Sequence, residues 1–350
     1  MNRTYFQKQL LSWYDVNKRD LPWRKTRDAY QIWLSEIILQ QTRIMQGYPY
    51  YLKFIDKYQD IYALANASEK DILRTWQGLG YYSRARNMHK CAKNIIKNWK
   101  GAFPDSYQEL IKLPGIGPYT AAAIASIAFG KTVAVVDGNV YRVLSRVFGI
   151  SEDISSVKGK KIFHGLASEM MPESNTGEYN QAIMEFGALH CTPVKPKCEE
   201  CPLRSRCYAF INNNQQYLPF KLKKNKIKIR HFHYLVIKQN SSIFMNRRSS
   251  NDIWFGLYDF LLLESKNEKI HFANYDLTKI LFIYLKNAEI RVYRHLLTHQ
   301  VIHATFYTIS IKKNLKELYG KLPENGKFYS YEEIESLPKP VLIEKYLKEE

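Results

Sequence analysis

Cys191-Thr-Pro-Val-Lys-Pro-Lys-Cys198-Glu-Glu-Cys201-Pro-Leu-Arg-Ser-Arg-Cys207 gathers four of the chain's five cysteines into one short loop, spaced C-x6-C-x2-C-x5-C. Thiolates are soft ligands that suit zinc or an iron–sulfur cluster. Zinc sites usually pair C-x2-C units across a longer gap, whereas a single wrap of four thiolates can surround an iron–sulfide cubane. The spacing therefore favours a cluster held by Cys191, Cys198, Cys201 and Cys207. Lys195, Lys197, Arg204 and Arg206 interleave with these ligands, offsetting thiolate charge and leaving a basic loop suited to phosphate. The fifth cysteine, Cys91, stands alone in a helix-like stretch and reads as a small buried hydrophobe.

Metal ligation rather than disulfide pairing fits a reducing compartment. The opening residues, Met1-Asn-Arg-Thr-Tyr-Phe-Gln-Lys8, lack a signal-peptide apolar core, and no apolar stretch is long enough to span a bilayer. The expected location is the cytoplasm, with no membrane partner. The 350 residues suffice for two domains, and 45% of them are hydrophobic, as in an ordinary globular protein. Lys and Arg number 52 against 33 Asp and Glu, a formal charge of +19 that points to a polyanionic partner.

Upstream of the loop the chain reads as helices, at residues 32–45, 71–76, 83–99, 119–129 and 140–148. Gly78-Leu-Gly80, Lys100-Gly101, Pro114-Gly-Ile-Gly117 and Asp137-Gly-Asn139 punctuate them. Residues 32–45 are apolar nearly all round, which predicts a buried helix. Downstream, Asn212-Asn-Asn-Gln-Gln216 and the basic run Lys221-Leu-Lys-Lys-Asn-Lys-Ile-Lys228 suggest a linker over 209–230. Short runs with strand character follow at 234–237, 243–245, 258–263, 290–293 and 301–311, with a final helix over 341–346. The expected fold class is a mainly α N-terminal region, residues 1–208, followed by a smaller α+β domain, residues 231–350.

Two features in the helical region carry chemistry. Leu113-Pro-Gly-Ile-Gly-Pro-Tyr-Thr-Ala121 joins two apolar helical stretches. Gly115 and Gly117 permit a tight turn, and the helix that follows offers free N–H groups to a DNA phosphate. About twenty residues later, Asp137 ends an apolar run and opens a helix. It reads either as an N-cap or as a carboxylate at the mouth of a cleft.

Turn, aspartate and cysteine loop in this order resemble the helix-hairpin-helix DNA glycosylase superfamily. Within it, residues 19–208 resemble the MutY family of adenine glycosylases. The matching blocks are Arg19-Asp-Leu-Pro-Trp-Arg24, Trp33-Leu-Ser-Glu-Ile-Ile-Leu-Gln-Gln-Thr42, Gly78-Leu-Gly-Tyr-Tyr-Ser-Arg-Ala-Arg-Asn87, Leu113-Pro-Gly-Ile-Gly117, Val136-Asp-Gly-Asn-Val140 and Asn180-Gln-Ala-Ile-Met-Glu-Phe-Gly187. The resemblance implies a [4Fe–4S] cluster on the four cysteines. It implies a monomer that acts in base excision repair on double-stranded DNA, excising adenine paired with 8-oxoguanine or guanine and leaving an abasic site.

Relatives resembling endonuclease III carry a lysine two residues after the second hairpin glycine, which forms a Schiff base with the sugar. Here that position is Tyr119, and Tyr141 stands where some MutY proteins have another lysine. Both imply a glycosylase without strand-cutting activity. Glu36 then carries the acid chemistry. Its neighbours Ile32 and Leu39 place the carboxyl on an apolar face, which raises its pKa. The resemblance makes Glu36 the proton donor to the base and Asp137 the group facing the sugar cation, with Tyr119 and Asn139 beside them. It places Gln181 near the adenine, Arg19, Leu21 and Trp23 in the segment that approaches the pocket, and Gln41 and Tyr81 in the base stack.

In the C-terminal part, Trp254-Phe-Gly-Leu-Tyr-Asp-Phe260 resembles an element of the Nudix-like domain of MutY, with Leu261 where a proline usually follows. The glutamate-rich signature of a working Nudix hydrolase is missing, which implies binding rather than hydrolysis. Leu297-Thr298-His299 matches the loop written F-S-H in many relatives and is expected to discriminate 8-oxoguanine from guanine. It keeps the hydroxyl and the imidazole and loses the aromatic ring. Two other classes stay open: a glycosylase with lyase activity, and a non-catalytic lesion binder.

Overall fold

The computed structural model describes residues 1–222, 227–249, 252–272, 276–311 and 316–350. The chain divides into two compact units, residues 1–66 with 87–223, and residues 67–86 with 224–350.

The first unit is helical. Its centre is the helix Thr176–Leu189, against which Arg3–Asn17, Gly138–Phe148 and Pro118–Ile127 pack. Phe6, Leu10, Val140, Val143, Leu144, Ala182, Ile183 and Phe186 form the shared core. Gly187 permits the close approach of two of these helices, since a Cβ there would lie 2.7 Å from the Asn139 Cβ. Side-chain caps start several helices: Asp28 accepts from the Tyr30 backbone N at 2.8 Å, and Ser156 from Gly159 N at 2.8 Å. No helix among the described residues is long and apolar enough to cross a membrane.

The hairpin lies between the helices Tyr107–Leu110 and Pro118–Ile127. Gly115 sits at φ +78°, and a Cβ there would meet the Asn87 Cβ at 2.7 Å, so both backbone angle and space demand glycine. Gly117 caps the next helix without any side-chain hydrogen bond, and Pro118 fills its first turn.

The buried helix expected over 32–45 is two helices. Ala29–Leu39 ends at Gln40, and Ile44–Lys57 begins after Arg43. Between them Gln41 takes φ +53°. The break falls in the polar run Gln40-Gln-Thr-Arg43 between Leu39 and Ile44, and no glycine or proline marks it.

The second unit holds a seven-stranded sheet: β1 (Lys228–Gln239), β2 (Ser242–Arg247), β3 (Tyr258–Asp259), β4 (Leu261–Ser265), β5 (Glu289–Leu297), β6 (Gln300–Ser310) and β7 (Gly326–Ser330). The order is β3-β2-β1-β6-β5, with β4 also on β1 and β7 on β2. β1 and β6 run parallel in the centre, and the other pairs are antiparallel. Leu235, Ile237 and Ile309 fill one face of the centre. On the other, Tyr346 of the helix Val341–Lys348 stacks on Phe306 with centroids 4.5 Å apart. The single strand expected over 258–263 is two strands on different partners, because the chain changes neighbours at Phe260.

Within the stretch read as a linker, Leu218 and Gln215 carbonyls each accept from Arg146 Nε at 3.0 Å, and the Phe220 carbonyl accepts from Ile154 N at 3.1 Å. Residues 223–226 of the basic run lie outside the described residues, and Lys228–Arg230 already belong to β1.

Candidate active site

Glu36 and Asp137 open into one cavity of about 450 Å³ in the first unit, which Arg19, Trp23, Arg24, Tyr119, Asn139, Arg142, Gln181, Met184 and Glu185 help to line. A larger recess of about 670 Å³ shares Arg19, Arg24 and Gln181 with it, and is also lined by Leu21, Lys18 and Arg27. It contains neither Glu36 nor Asp137, so the smaller cavity is the one with acid–base chemistry.

Glu36 projects from the helix Ala29–Leu39, whose Ile32, Trp33, Ile37 and Ile38 are buried. The residue is partly buried and lines the cavity. Burial pushes its pKa up to about 7, with the charge of Asp137 adding to that. A hydrogen bond from Tyr119 and the more distant Arg24 pull it back. The Tyr119 hydroxyl is itself pushed far above its ordinary value by burial and by both carboxylates, so it stays protonated and donates. It also lies 3.2 Å from the Met184 sulfur.

Asp137 is both N-cap and cavity wall. One carboxylate oxygen accepts from the backbone N of Asn139 (2.9 Å) and Val140 (2.8 Å), and the other accepts from Asn139 Nδ2 (2.8 Å). Burial raises its pKa, opposed by these three donors and by Arg142. With three donors on its oxygens, Asp137 is better supported as an anion than Glu36. Arg142 Nη2 in turn donates to Asn139 Oδ1 at 2.8 Å, and its Nε donates to the Cys191 carbonyl at 2.7 Å. The helix that starts at one carboxylate thus reaches the cysteine loop.

Glu185, Arg24 and Arg142 are the site residues that sequence reasoning passed over. Glu185 is 1% exposed, and both its oxygens accept from Arg19 and Arg24 at 2.5–2.8 Å. Burial works to raise its pKa, but the two guanidiniums outweigh that and hold it down at about 2. Arg24 and Glu185 lie inside matched blocks, which was the available signal; Arg142 lies two residues past the block that ends at Val140. Trp23 is buried edge-on against Tyr51, and Gln181 accepts from the Tyr14 hydroxyl at 3.0 Å.

The remaining expected residues lie outside the cavity. Gln41 is exposed at the helix break with φ +53°. In the second unit, Thr298 and His299 form the two-residue turn between β5 and β6, closed by the Leu297–Gln300 pair. Tyr81, at φ +47°, belongs to the same unit and donates from its hydroxyl to that of Thr298. Left-handed backbone at non-glycine residues such as Gln41 and Tyr81 is uncommon and concentrates at functional positions.

The four loop cysteines are free of disulfides and line one pocket with Arg146, His190 and Gln215. Arg146 Nη1 lies 3.5 Å from Cys191 Sγ. Among the described residues, no three His, Cys, Asp or Glu groups converge closely enough to hold a single metal ion. Four thiols lining one pocket are a donor set that fits an iron–sulfur cluster. Of the interleaved basic residues, Arg204 pairs with Glu199 at 2.8 Å and Arg206 stacks over the Tyr5 ring, so these two are already engaged within the protein.

Comparison with known proteins agrees with this geometry. Residues 34–168 match the family profile described as HhH-GPD superfamily base excision DNA repair protein. Residues 191–207 match the iron–sulfur binding domain of endonuclease III, and residues 233–349 match the NUDIX domain. The cysteines hold a [4Fe–4S] cluster. An adenine DNA glycosylase of Buchnera aphidicola subsp. Acyrthosiphon pisum is 33% identical over 362 residues, covering 99% of both chains. The adenine DNA glycosylase of Homo sapiens is 44% identical over 224 residues, covering 61% of this chain and 41% of that one. Among solved structures, a thermostable thymine-DNA glycosylase is 33% identical with a TM-score of 0.56, covering 60% of this chain and 97% of that chain. A trapped endonuclease III–DNA covalent intermediate shares the fold at 22% identity and TM-score 0.53, covering 61% and 99%. Acid–base cavity, cluster loop and full-length similarity converge: the chain is a DNA glycosylase and belongs to the adenine DNA glycosylase family.

Proposed function

We propose that this enzyme excises adenine paired with 8-oxoguanine or guanine in duplex DNA, and that it leaves the abasic strand uncut. The observation that carries the reading is the shared cavity of Glu36 and Asp137, one carboxyl titrating near neutrality and the other held by three donors. The adenine is flipped out of the stack into this cavity. Glu36 protonates it at N7 and makes it a leaving group. The sugar gains oxocarbenium character as the bond breaks. Asp137 stabilises that charge or captures it transiently. Tyr119 and Asn139 hold the two carboxylates and the water, and Glu36 finally accepts the proton of the incoming water.

Arg19, Leu21, Trp23 and Gln181 shape the approach to the base, and Gln41 and Tyr81 enter the base stack. Gly115 and Gly117 bring the next helix's free N–H groups to a backbone phosphate. The cluster fixes the shape of its loop. Residues 1–208 supply catalysis and 231–350 the lesion reader, with Leu297, Thr298 and His299 facing the 8-oxoguanine; the stretch between them is no free linker, since Gln215, Leu218 and Phe220 bond to the helical unit and Lys228–Arg230 belong to β1. The Tyr81–Thr298 hydrogen bond supports this division of labour, because it ties a base-stack residue to the reading turn. The enzyme acts as a monomer in the cytoplasm, on chromosomal DNA.

A labelled duplex with adenine opposite 8-oxoguanine tests the reading on a denaturing gel. Cutting only after alkali is expected. Cutting without alkali would show lyase activity, and no alkali-labile product would leave a lesion binder without catalysis.

A further inference from the structure

His190 is unusual among the residues around the cluster. It is 6% exposed, and its Nε2 is fully buried without a hydrogen-bond partner. Buried imidazole nitrogens are costly to leave unpaired, so an orphan of this kind marks a missing partner. The ring lines the pocket formed by Cys191, Cys198, Cys201 and Cys207, and it is the one histidine among the described residues that does so.

Its orientation is fixed on several sides. The ring stacks on Phe186 with centroids 4.9 Å apart and planes at 21°, and it meets Trp13 nearly edge to face at 5.7 Å. The backbone N donates to the Phe186 carbonyl at 2.9 Å, and the carbonyl accepts from Lys197 N at 3.1 Å. A side chain clamped in this way cannot swing to water to satisfy its nitrogen. The group missing from the pocket is the cluster, which presents sulfide and thiolate sulfurs as acceptors.

We propose that His190 donates its Nε2–H to a sulfur of the [4Fe–4S] cluster and thereby raises the cluster's reduction potential. Adding an electron increases the negative charge on the sulfurs, so a donor aimed at one of them stabilises the reduced form more than the oxidised form. The Arg146 guanidinium, with Nη1 3.5 Å from Cys191 Sγ, acts in the same sense. His190 is then a tuning residue for the cofactor rather than a ligand or a catalytic group. The alternative destination for the Nε2–H is the face of the Trp13 ring.

Two measurements on the full-length holoenzyme decide it. His190→Phe keeps an aromatic ring for the Phe186 stack and removes the donor. At full iron and sulfide content, its potential by protein-film voltammetry should move negative. At a fixed applied potential the oxidised-to-reduced ratio should change several-fold, up to about tenfold for the loss of one hydrogen bond. His190→Gln, which retains an N–H donor, should recover part of the shift. Independently, ¹⁵N-histidine-labelled wild-type enzyme, brought to a paramagnetic cluster state, should show ¹⁵N hyperfine coupling to the cluster by pulsed EPR. This second measurement stands alone if His190→Phe fails to load iron. An unmoved potential in fully loaded His190→Phe, or the absence of coupling in the wild type, would overturn the assignment and leave Trp13 as the partner.

Discussion

The cysteine loop and the carboxylate cavity are built in opposite ways. The loop takes all four ligands from residues 191–207, so its chemistry is written in one contiguous stretch. The cavity takes Arg19, Glu36, Tyr119, Asp137 and Gln181 from separate segments, and its acid exists only because of what packing does to it. Glu36 in isolation is an ordinary carboxylate. Enclosed beside Asp137 and Tyr119, its pKa reaches about 7. A local site states its ligands directly, whereas a dispersed one states its chemistry only after folding.

The largest test of that contrast separates the two sites. Glu36→Gln should slow single-turnover excision by about 10²–10⁴-fold, the usual weight of a general acid, while its iron content stays at the wild-type level. Asp137→Asn should cause a comparable loss without unravelling the helix, since asparagine caps as well as aspartate. Rates within about threefold of wild type for either variant would remove these carboxyls from the chemistry.

A smaller effect concerns stability. The Glu36 pKa is raised from 4.5 to about 7 on folding. Between these values the folded chain keeps a proton that the unfolded chain has lost. The native state is therefore fully favoured below about pH 4.5 and loses stability as pH rises through 7. The gap corresponds to about 3 kcal/mol. In urea unfolding, the difference in stability between Glu36→Gln and wild type should grow by roughly that amount from pH 4.5 to pH 8. A constant difference would mean that burial does not act on this carboxyl.

The smallest effect belongs to the second unit. Thr298→Ala removes the hydroxyl that Tyr81 meets. It should reduce the preference for 8-oxoguanine over guanine by roughly 3- to 10-fold, as for one hydrogen bond, with the rate opposite guanine unchanged. An equal loss on both substrates would mark the turn as structural.

What could be read in advance follows the same contrast. The cluster loop, the helix Ser83–Trp99 and the hairpin glycines are local patterns, and the sequence displays them. The break at residues 40–43 is easily missed, because Gln40-Gln-Thr-Arg43 is polar but holds neither the glycine nor the proline that usually ends a helix, and only the φ of +53° at Gln41 shows it. Residues 258–263 hide the split into β3 and β4, because strand propensity says nothing about which strand is the neighbour. Glu185 escaped notice because a glutamate on a helix declares nothing until Arg19 and Arg24, more than 160 positions away, close on it. Asp137 read equally well as cap or as cleft carboxylate, and its geometry serves both descriptions.

The pH dependence of single-turnover excision at saturating enzyme tests the central claim most directly. With Glu36 as the acid, the rate should stay high on the acidic side and fall tenfold per pH unit above an apparent pKa of about 7. The residual activity of Glu36→Gln should lack that descending limb. A wild-type rate that stays level to pH 9, or a Glu36→Gln profile that keeps the same inflection, would contradict a proton held by Glu36 in its enclosed cavity.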